Sequence, residues 1–240
     1  MNDVFHDRQA RGRTRTGWLT SHHTFSFGSF NDPLRMGFRA LRVINEDTVA
    51  GGSGFAEHAH DHFEILTFVL SGTIEHRDSA GNSGFLQGGD MQLISSGAGT
   101  RHSERNPSAT EPAHLFQIWL HGEADAAPPR YQTLAGVLDA GEASSTRLVA
   151  GPEAAEGALA LSAPVRIWAG KLLAGSRETQ ALAAGRFGWL QVLDGVVSVR
   201  EGAAAEPLEL RGGDALQLVT VRSVDLTAVT DARWLWFDLA

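Results

Sequence analysis

Apolar residues recur at every second position through "ILTFVLSGTIEHRD", "DMQLISS", "HLFQIWLHG", "GWLQVLDGVVSVRE" and "DLTAVTDARWLWFDL". That period turns successive side chains to opposite faces of a pleated strand. Clusters of Gly, Asn, Asp and Pro separate the runs, and helical periodicity is scarce. Many short strands joined by Gly-rich turns predict an all-β chain built as antiparallel barrels or sandwiches.

The pattern occurs twice. "TFVLSGTIEHRDSAGNSGFLQGGDMQLI" resembles "LQVLDGVVSVREGAAAEPLELRGGDALQL", with Gly72 matching Gly195 at an offset of 123 and Gly88-Gly89-Asp90 matching Gly212-Gly213-Asp214 at an offset of 124. One element has been duplicated. Between the copies, "EADAAPP" and "GEASSTRLVAGPEAAEGA" are rich in Ala, Gly, Ser, Pro and acid, as an exposed connection is. The expected organisation is an N-terminal domain over residues 1–133, a linker over 134–159 and a C-terminal domain over 160–240.

Composition narrows the chemistry. With 240 residues, 42% of them hydrophobic, the chain can bury two ordinary cores. A net charge of −8 gives no support to nucleic-acid binding, and Arg11, Arg13 and Arg15 read as a solvated arm. Neither a secretory apolar core nor a run approaching the ~20 apolar residues of a spanning helix occurs, so a cytoplasmic protein without membrane partners is expected. Because the chain has no cysteine, disulfides and thiolate chemistry are excluded, and any metal must be held by nitrogen and oxygen.

Such donors stand in "GFAEHAHDHFEI", where His58, His60, His62 and Glu64 follow one another at two-residue spacing. In a strand this spacing shares one face, and it is met again at His102 and Glu104 in "GTRHSERNP". Two strands each offering such a pair can surround one ion with three imidazoles and a carboxylate. The duplication bears on this reading. Carried across the offset, His58 and His60 fall on Ala181 and Ala183, and His102 and Glu104 on Leu226 and Ala228; no histidine follows His121. Candidates lost together behave as one site, so a metal in the first copy and an apolar interior in the second are expected. In "SHHTFSFGSF", His22, His23, Phe25 and Phe27 read as core packing, with an aromatic pocket over the metal as the alternative; His76 and His114 receive no role.

The stretch from "GFAEHAHDHFEI" to "GTRHSERNP", with "GWLTSHHTFSFGSFNDPLRMGFRALRVINED" before it and "HLFQIWL" after it, resembles the pirin family, a branch of the bicupins, and in particular its bacterial members described as quercetin 2,3-dioxygenases. The likeness covers most of residues 15–132 and is weaker beyond 160. It implies two tandem cupin barrels, of double-stranded β-helix or jelly-roll form, the second degenerate. Gly52, His58, His60 and Glu64 fit the general cupin motif, with Gly72 one residue late. The resemblance implies His58, His60, His102 and Glu104 as ligands of one divalent transition metal, and leaves Glu64 to hold an imidazole N–H or to act as a plain hydrogen-bonded carboxylate. It favours iron, although Mn, Ni, Co, Cu and Zn suit the same donors. There are departures: Ser95 stands where cupins carry Pro, and Ala59, Asp61 and His62 interrupt the family's His-Pro-His and Arg-Gly. His62 is expected at the barrel rim.

Two functions are implied. One is a dioxygenase acting on a flavonol such as quercetin and O₂, with Glu104 as the catalytic group accepting the substrate proton. The other is a metal-binding regulator acting through a protein partner.

Overall fold

The computed structural model describes residues 3–122, 127–137, 143–201 and 206–240. Among these, twenty-two strands and two short 3₁₀ turns account for the regular structure. No helix among the described residues is long and apolar enough to cross a membrane. The chain forms two compact units, one of Arg11–Asp139 with Leu159–Ala163, the other of Met1–Ala10, Ala140–Ala158 and Pro164–Ala240.

The first unit is a jelly roll of two antiparallel sheets. Its larger sheet runs in the order Arg130–Leu134, Met91–Ser95, Phe63–Ser71, Ala113–His121, Leu41–Val49, Leu19–His23 and Gly12–Arg15. Its smaller sheet runs Gly54–His60, Thr100–Arg105, Thr73–Asp78 and Ser83–Gln87. Val49, Val69, Ala113 and Leu115 of the larger sheet pack with Ile74 and Leu86 of the smaller one. Apolar burial of this kind contributes about 25 cal/mol per Å².

The second unit repeats the plan. Arg177–Ala181, Ser223–Ala228, Val196–Arg200 and Leu208–Arg211 make the smaller sheet, and Val4–His6, Ala215–Leu218, Phe187–Asp194, Ala232–Leu239, Val165–Leu172 and Ser145–Gly151 follow one another in the larger. The duplication holds at the level of single hydrogen bonds. Gly88 N–H donates to Gly72 O at 3.1 Å and Gly212 N–H to Gly195 O at 3.0 Å; Asp90 and Asp214 each accept a backbone N–H three residues back at 2.8 Å. Gly72 and Gly195 sit at φ 79° and 74°, where an added Cβ would meet a carbonyl oxygen at 2.6 and 2.1 Å. Only glycine suits both turns.

The compact units differ from the expected boundaries in three places. Residues Val4–His6 add a strand to Ala215–Leu218 of the second unit, and Asp3 accepts Thr220 N–H at 2.9 Å beside it. A three-residue strand is too short for alternation to mark it. Inside the expected linker, Ser145–Gly151 is a strand paired to Val165–Leu172, and at its junction with the expected C-terminal domain Leu159–Ala163 groups with the first unit, where Gln132 and Ala160 exchange two hydrogen bonds of 3.0 Å. Residues 138–142 of that linker, and 123–126 of the acidic stretch before it, lie outside the described residues. The basic cluster is a strand and not a free arm: Gly12–Arg15 pairs with Leu19–His23, Arg11 meets Glu46 at 2.8 Å, and Arg13 and Arg15 are exposed, as a solvated reading requires.

Candidate metal centre

His58 and His60 end the strand Gly54–His60, and His102 stands opposite His58 on Thr100–Arg105. Two-residue spacing and this register turn all three rings inward. One ring nitrogen from each lies within 4.8 Å of the others, and Nε2 of His58 and Nε2 of His102 are 3.1 Å apart. Among the described residues this is the group whose geometry can hold a metal ion.

The protonation of these rings fits a cation. His58 donates Nδ1–H to Ala56 O at 2.8 Å, which leaves the lone pair on Nε2. Burial, then the imidazoles of His102 and His58, push His60 down to about 4. Burial, then His58 and His76, push His102 down to about 3. Both rings are therefore neutral at pH 7. Nδ1 of His102 is buried without a partner among the described residues. If that nitrogen carries the proton, two Nε2 lone pairs face one another at 3.1 Å, an arrangement that a shared cation satisfies. Neutral nitrogen donors of this kind suit a divalent transition metal.

Glu104, on the same strand as His102 beyond a register shift, lies outside that three-histidine group. It is 3% exposed, and three side chains hold it: Thr67 Oγ1 and Gln92 Nε2 donate to Oε1 at 3.0 and 2.6 Å, and Gln117 Nε2 donates to Oε2 at 2.7 Å. Trp119 Nε1 donates to Gln117 Oε1 at 3.2 Å and so fixes which end of that amide faces Glu104. A carboxylate offers about four lone-pair sites, so this cradle leaves one for a further partner. The charge of Glu104 reaches His60, which it favours in the protonated form. The sequence reading missed Thr67, Gln92 and Gln117, yet a signal was present: both glutamines interrupt strands that are otherwise apolar, "DMQLIS" and "HLFQIWL".

Glu64 and His62 leave the centre. Glu64, 2% exposed, accepts Ser95 Oγ at 2.7 Å, Ser162 N–H at 3.1 Å and the Ser162 hydroxyl, and holds no imidazole. It lies three residues from Thr67 on one strand, hence on the opposite face. His62 is exposed at φ 56°, in the turn after His60, where the alternation ends. His76, fully buried, stacks on Tyr131 at 4.2 Å and lies 3.3 Å from Asp78, while His114 pairs with Glu46 at 2.9 Å.

An aromatic wall adjoins the histidines. Trp119 stands edge-on to His60 at 4.7 Å and to Phe27 at 5.5 Å, and Phe55 packs on His58 at 6.4 Å. Phe27, Phe55 and Gln117 also line a cavity of about 260 Å³ together with Ser21, His23 and Asp47. Of the residues read as core packing, Phe25 is core, whereas His23 and Phe27 border this cavity.

Comparison with known proteins decides the family. Residues 4–120 match the Pirin family, and residues 148–239 match the quercetinase C-terminal cupin domain. The chain is 40% identical over 229 residues to the quercetin 2,3-dioxygenase of Escherichia coli strain K12, covering 95% of each. The chain belongs to the pirin family. Among solved pirins and relatives, YhhW from Escherichia coli superposes with a TM-score of 0.91 at 38% identity, covering 99% of this chain and 97% of that one. A second structure, of the bacterial pirin YhhW in complex with nickel(II), gives 0.90 at 37% identity, covering 99% and 98%. Both units are thus cupin barrels of the pirin type, the second without the histidine cluster.

That second barrel corrects one detail. Ala181 and Ala183, aligned with His58 and His60, are exposed. The inward positions of Arg177–Ala181 are Gln180 and the half-buried Glu178, paired with Val224 and Leu226. Leu226 and Ala228 are buried in an apolar cluster with Val197, Val199 and Trp234, as expected.

Proposed function

We propose that this pirin is a metal-dependent dioxygenase that opens the heterocycle of a flavonol such as quercetin with O₂. The observation that carries this reading is the convergence of three imidazoles beside a cavity lined by aromatic rings. Quercetin 2,3-dioxygenase is the activity named for the Escherichia coli relative. His58, His60, His102 and Glu104 would hold the ion; iron is our choice, and nickel is bound in the related YhhW. Such an ion supplies Lewis acidity toward the hydroxyl and carbonyl oxygens of the substrate.

The chain's own residues do the rest. Phe27 and Phe55 line the cavity with rings that suit a planar ligand, and Trp119 stands edge-on to Phe27. The one free lone pair of Glu104 passes from the ion to the proton of the flavonol 3-hydroxyl as substrate binds, and the donors Thr67, Gln92 and Gln117 keep its carboxylate oriented for that transfer. O₂ then adds across C2 and C4 of the heterocycle, and C3 leaves as carbon monoxide.

Metal-loaded protein incubated aerobically with quercetin should consume O₂ and release CO in equal amounts, and His58→Ala should do neither. Undiminished turnover in His58→Ala, or none in the loaded wild type, would overturn the proposal.

A further inference from the structure

Most polar groups around the 260 Å³ cavity are occupied. His23 Nδ1 and Asn45 Oδ1 are 2.8 Å apart, Thr14 Oγ1 meets His23 Nε2 at 2.8 Å, and Gln117 is tied to Glu104 and Trp119. Asp47 differs. It is 2% exposed, and its Oδ1 is buried with no hydrogen-bond partner among the described residues. The Ser21 hydroxyl hydrogen-bonds the carboxyl from the paired strand. A buried polar atom left unpaired destabilises a fold unless something else uses it.

We propose that Asp47 is a specificity-determining residue, whose Oδ1 hydrogen-bonds a ring hydroxyl of the phenolic ligand seated between Phe27 and Phe55. The inference rests on the dioxygenase reading and deepens it. Of the lining residues, Gln117 hydrogen-bonds Glu104 and the Phe55 ring lies 6.4 Å from that of His58, so the cavity borders the centre where the flavonol 3-hydroxyl would lie. A ligand anchored there turns its other hydroxyls toward the remaining polar wall, and Asp47 supplies the acceptor. Burial, with the charges of Glu104 and Glu46, pushes the Asp47 carboxyl up to about 7, although Ser21 opposes this. Near neutral pH it can accept from a hydroxyl as carboxylate or donate to one as acid.

The test compares two flavonols that share the 3-hydroxyl and 4-carbonyl: quercetin, with further ring hydroxyls, and 3-hydroxyflavone, with none. Dissociation constants come from tryptophan quenching of metal-free protein, and kcat and KM from O₂ uptake of loaded protein. Wild type should favour quercetin. In Asp47→Leu the ratio of the two dissociation constants should shift about tenfold toward 3-hydroxyflavone, and Asp47→Asn should recover part of the preference. The change should appear in KM more than in kcat, with neither variant melting below wild type. A ratio within twofold of wild type in both variants, or a lowered Tm with equal loss for both ligands, overturns the assignment while leaving the dioxygenase reading intact. If wild type neither binds nor turns over either flavonol, both fall.

Discussion

In the first barrel, the paired strands Gly54–His60 and Thr100–Arg105 turn His58, His60, His102 and Glu104 inward. In the second, Arg177–Ala181 and Ser223–Ala228 turn in Gln180 and Glu178 against Val224, Leu226 and Ala228. One turn hydrogen bond agrees to within a tenth of an ångström, Gly88 to Gly72 in one barrel and Gly212 to Gly195 in the other. Turn chemistry thus specifies the scaffold, and the inward residues of two strands decide what it does. Fully burying a Leu or Val is worth about 1.5–3 kcal/mol. The first barrel forgoes that at its centre and offsets the loss through the hydrogen bonds of Thr67, Gln92 and Gln117 to Glu104.

The largest expected difference lies between one substitution in each barrel. His102→Ala should reduce bound metal from about one ion per chain to background, with turnover falling about a thousandfold or more, since a lost ligand removes the ion's chemistry. Leu226→Ala should leave metal content unchanged and cost about 2–5 kcal/mol of stability, because its side chain is fully buried. Elemental analysis and denaturant unfolding measure the two effects. Metal loss in Leu226→Ala would break the division of labour.

A smaller effect is expected one contact away from the centre. Gln117→Leu keeps the side chain's bulk but removes the 2.7 Å hydrogen bond to Glu104 and the acceptor for Trp119. Substitutions of groups that orient ligands weaken metal binding by about 10- to 100-fold, and a competition titration against a chelator should find a loss of that size. Replacing Gln191, a fully buried glutamine of the second barrel, should not move it, for its amide donates to Val192 O and Asp214 O.

How far the sequence revealed all this depends on what each feature needs. Alternation and the Gly-Gly-Asp turns are local, so the two barrels could be read directly, and a His-x-His pair announces its shared face. Gln92 and Gln117 act on a carboxylate 12 and 13 residues away along the chain, through pairing that no local pattern encodes. Ala181 and Ala183 failed for another reason. The offset was anchored at Gly72 and Gly195 and carried backward through a turn without a landmark. An odd error in register flips every side chain to the other face, so even-numbered Glu178 and Gln180 point inward instead.

Acid should separate the barrels more gently. An unfolded histidine titrates near 6.5, whereas burial and neighbouring imidazoles hold folded His60 near 4 and His102 near 3. Between those values the unfolded chain binds more protons at these two rings, so their contribution to the stability of the metal-free protein is lost as pH falls from about 6.5 toward 4, while buried Asp47, held near 7, contributes with the opposite sign. Melting curves of His60→Gln and His102→Gln should show a flatter dependence over that window. No histidine lies in the sequence after His121, so the second unit holds a single one, His6 on its added strand, and lacks any cluster like that of the first. A dependence left unchanged in both variants would mean that these rings are not held neutral in the folded protein.

The smallest expected effect is a test of register. If Ala181 and Ala183 occupied the places of His58 and His60, the double substitution Ala181→His and Ala183→His would put two imidazoles inside the second barrel. Both positions are exposed. The variant should therefore bind no more metal than wild type, and its stability should change by no more than about 0.5 kcal/mol per site, as surface substitutions do. Gln180→His should behave differently, because position 180 is 9% exposed and faces Val224. There an imidazole would replace an amide that donates to Glu178 at 2.8 Å, and the barrel should lose stability. A second bound ion in the alanine variant, with a silent Gln180→His, would restore the odd register and return Ala181 and Ala183 to the interior.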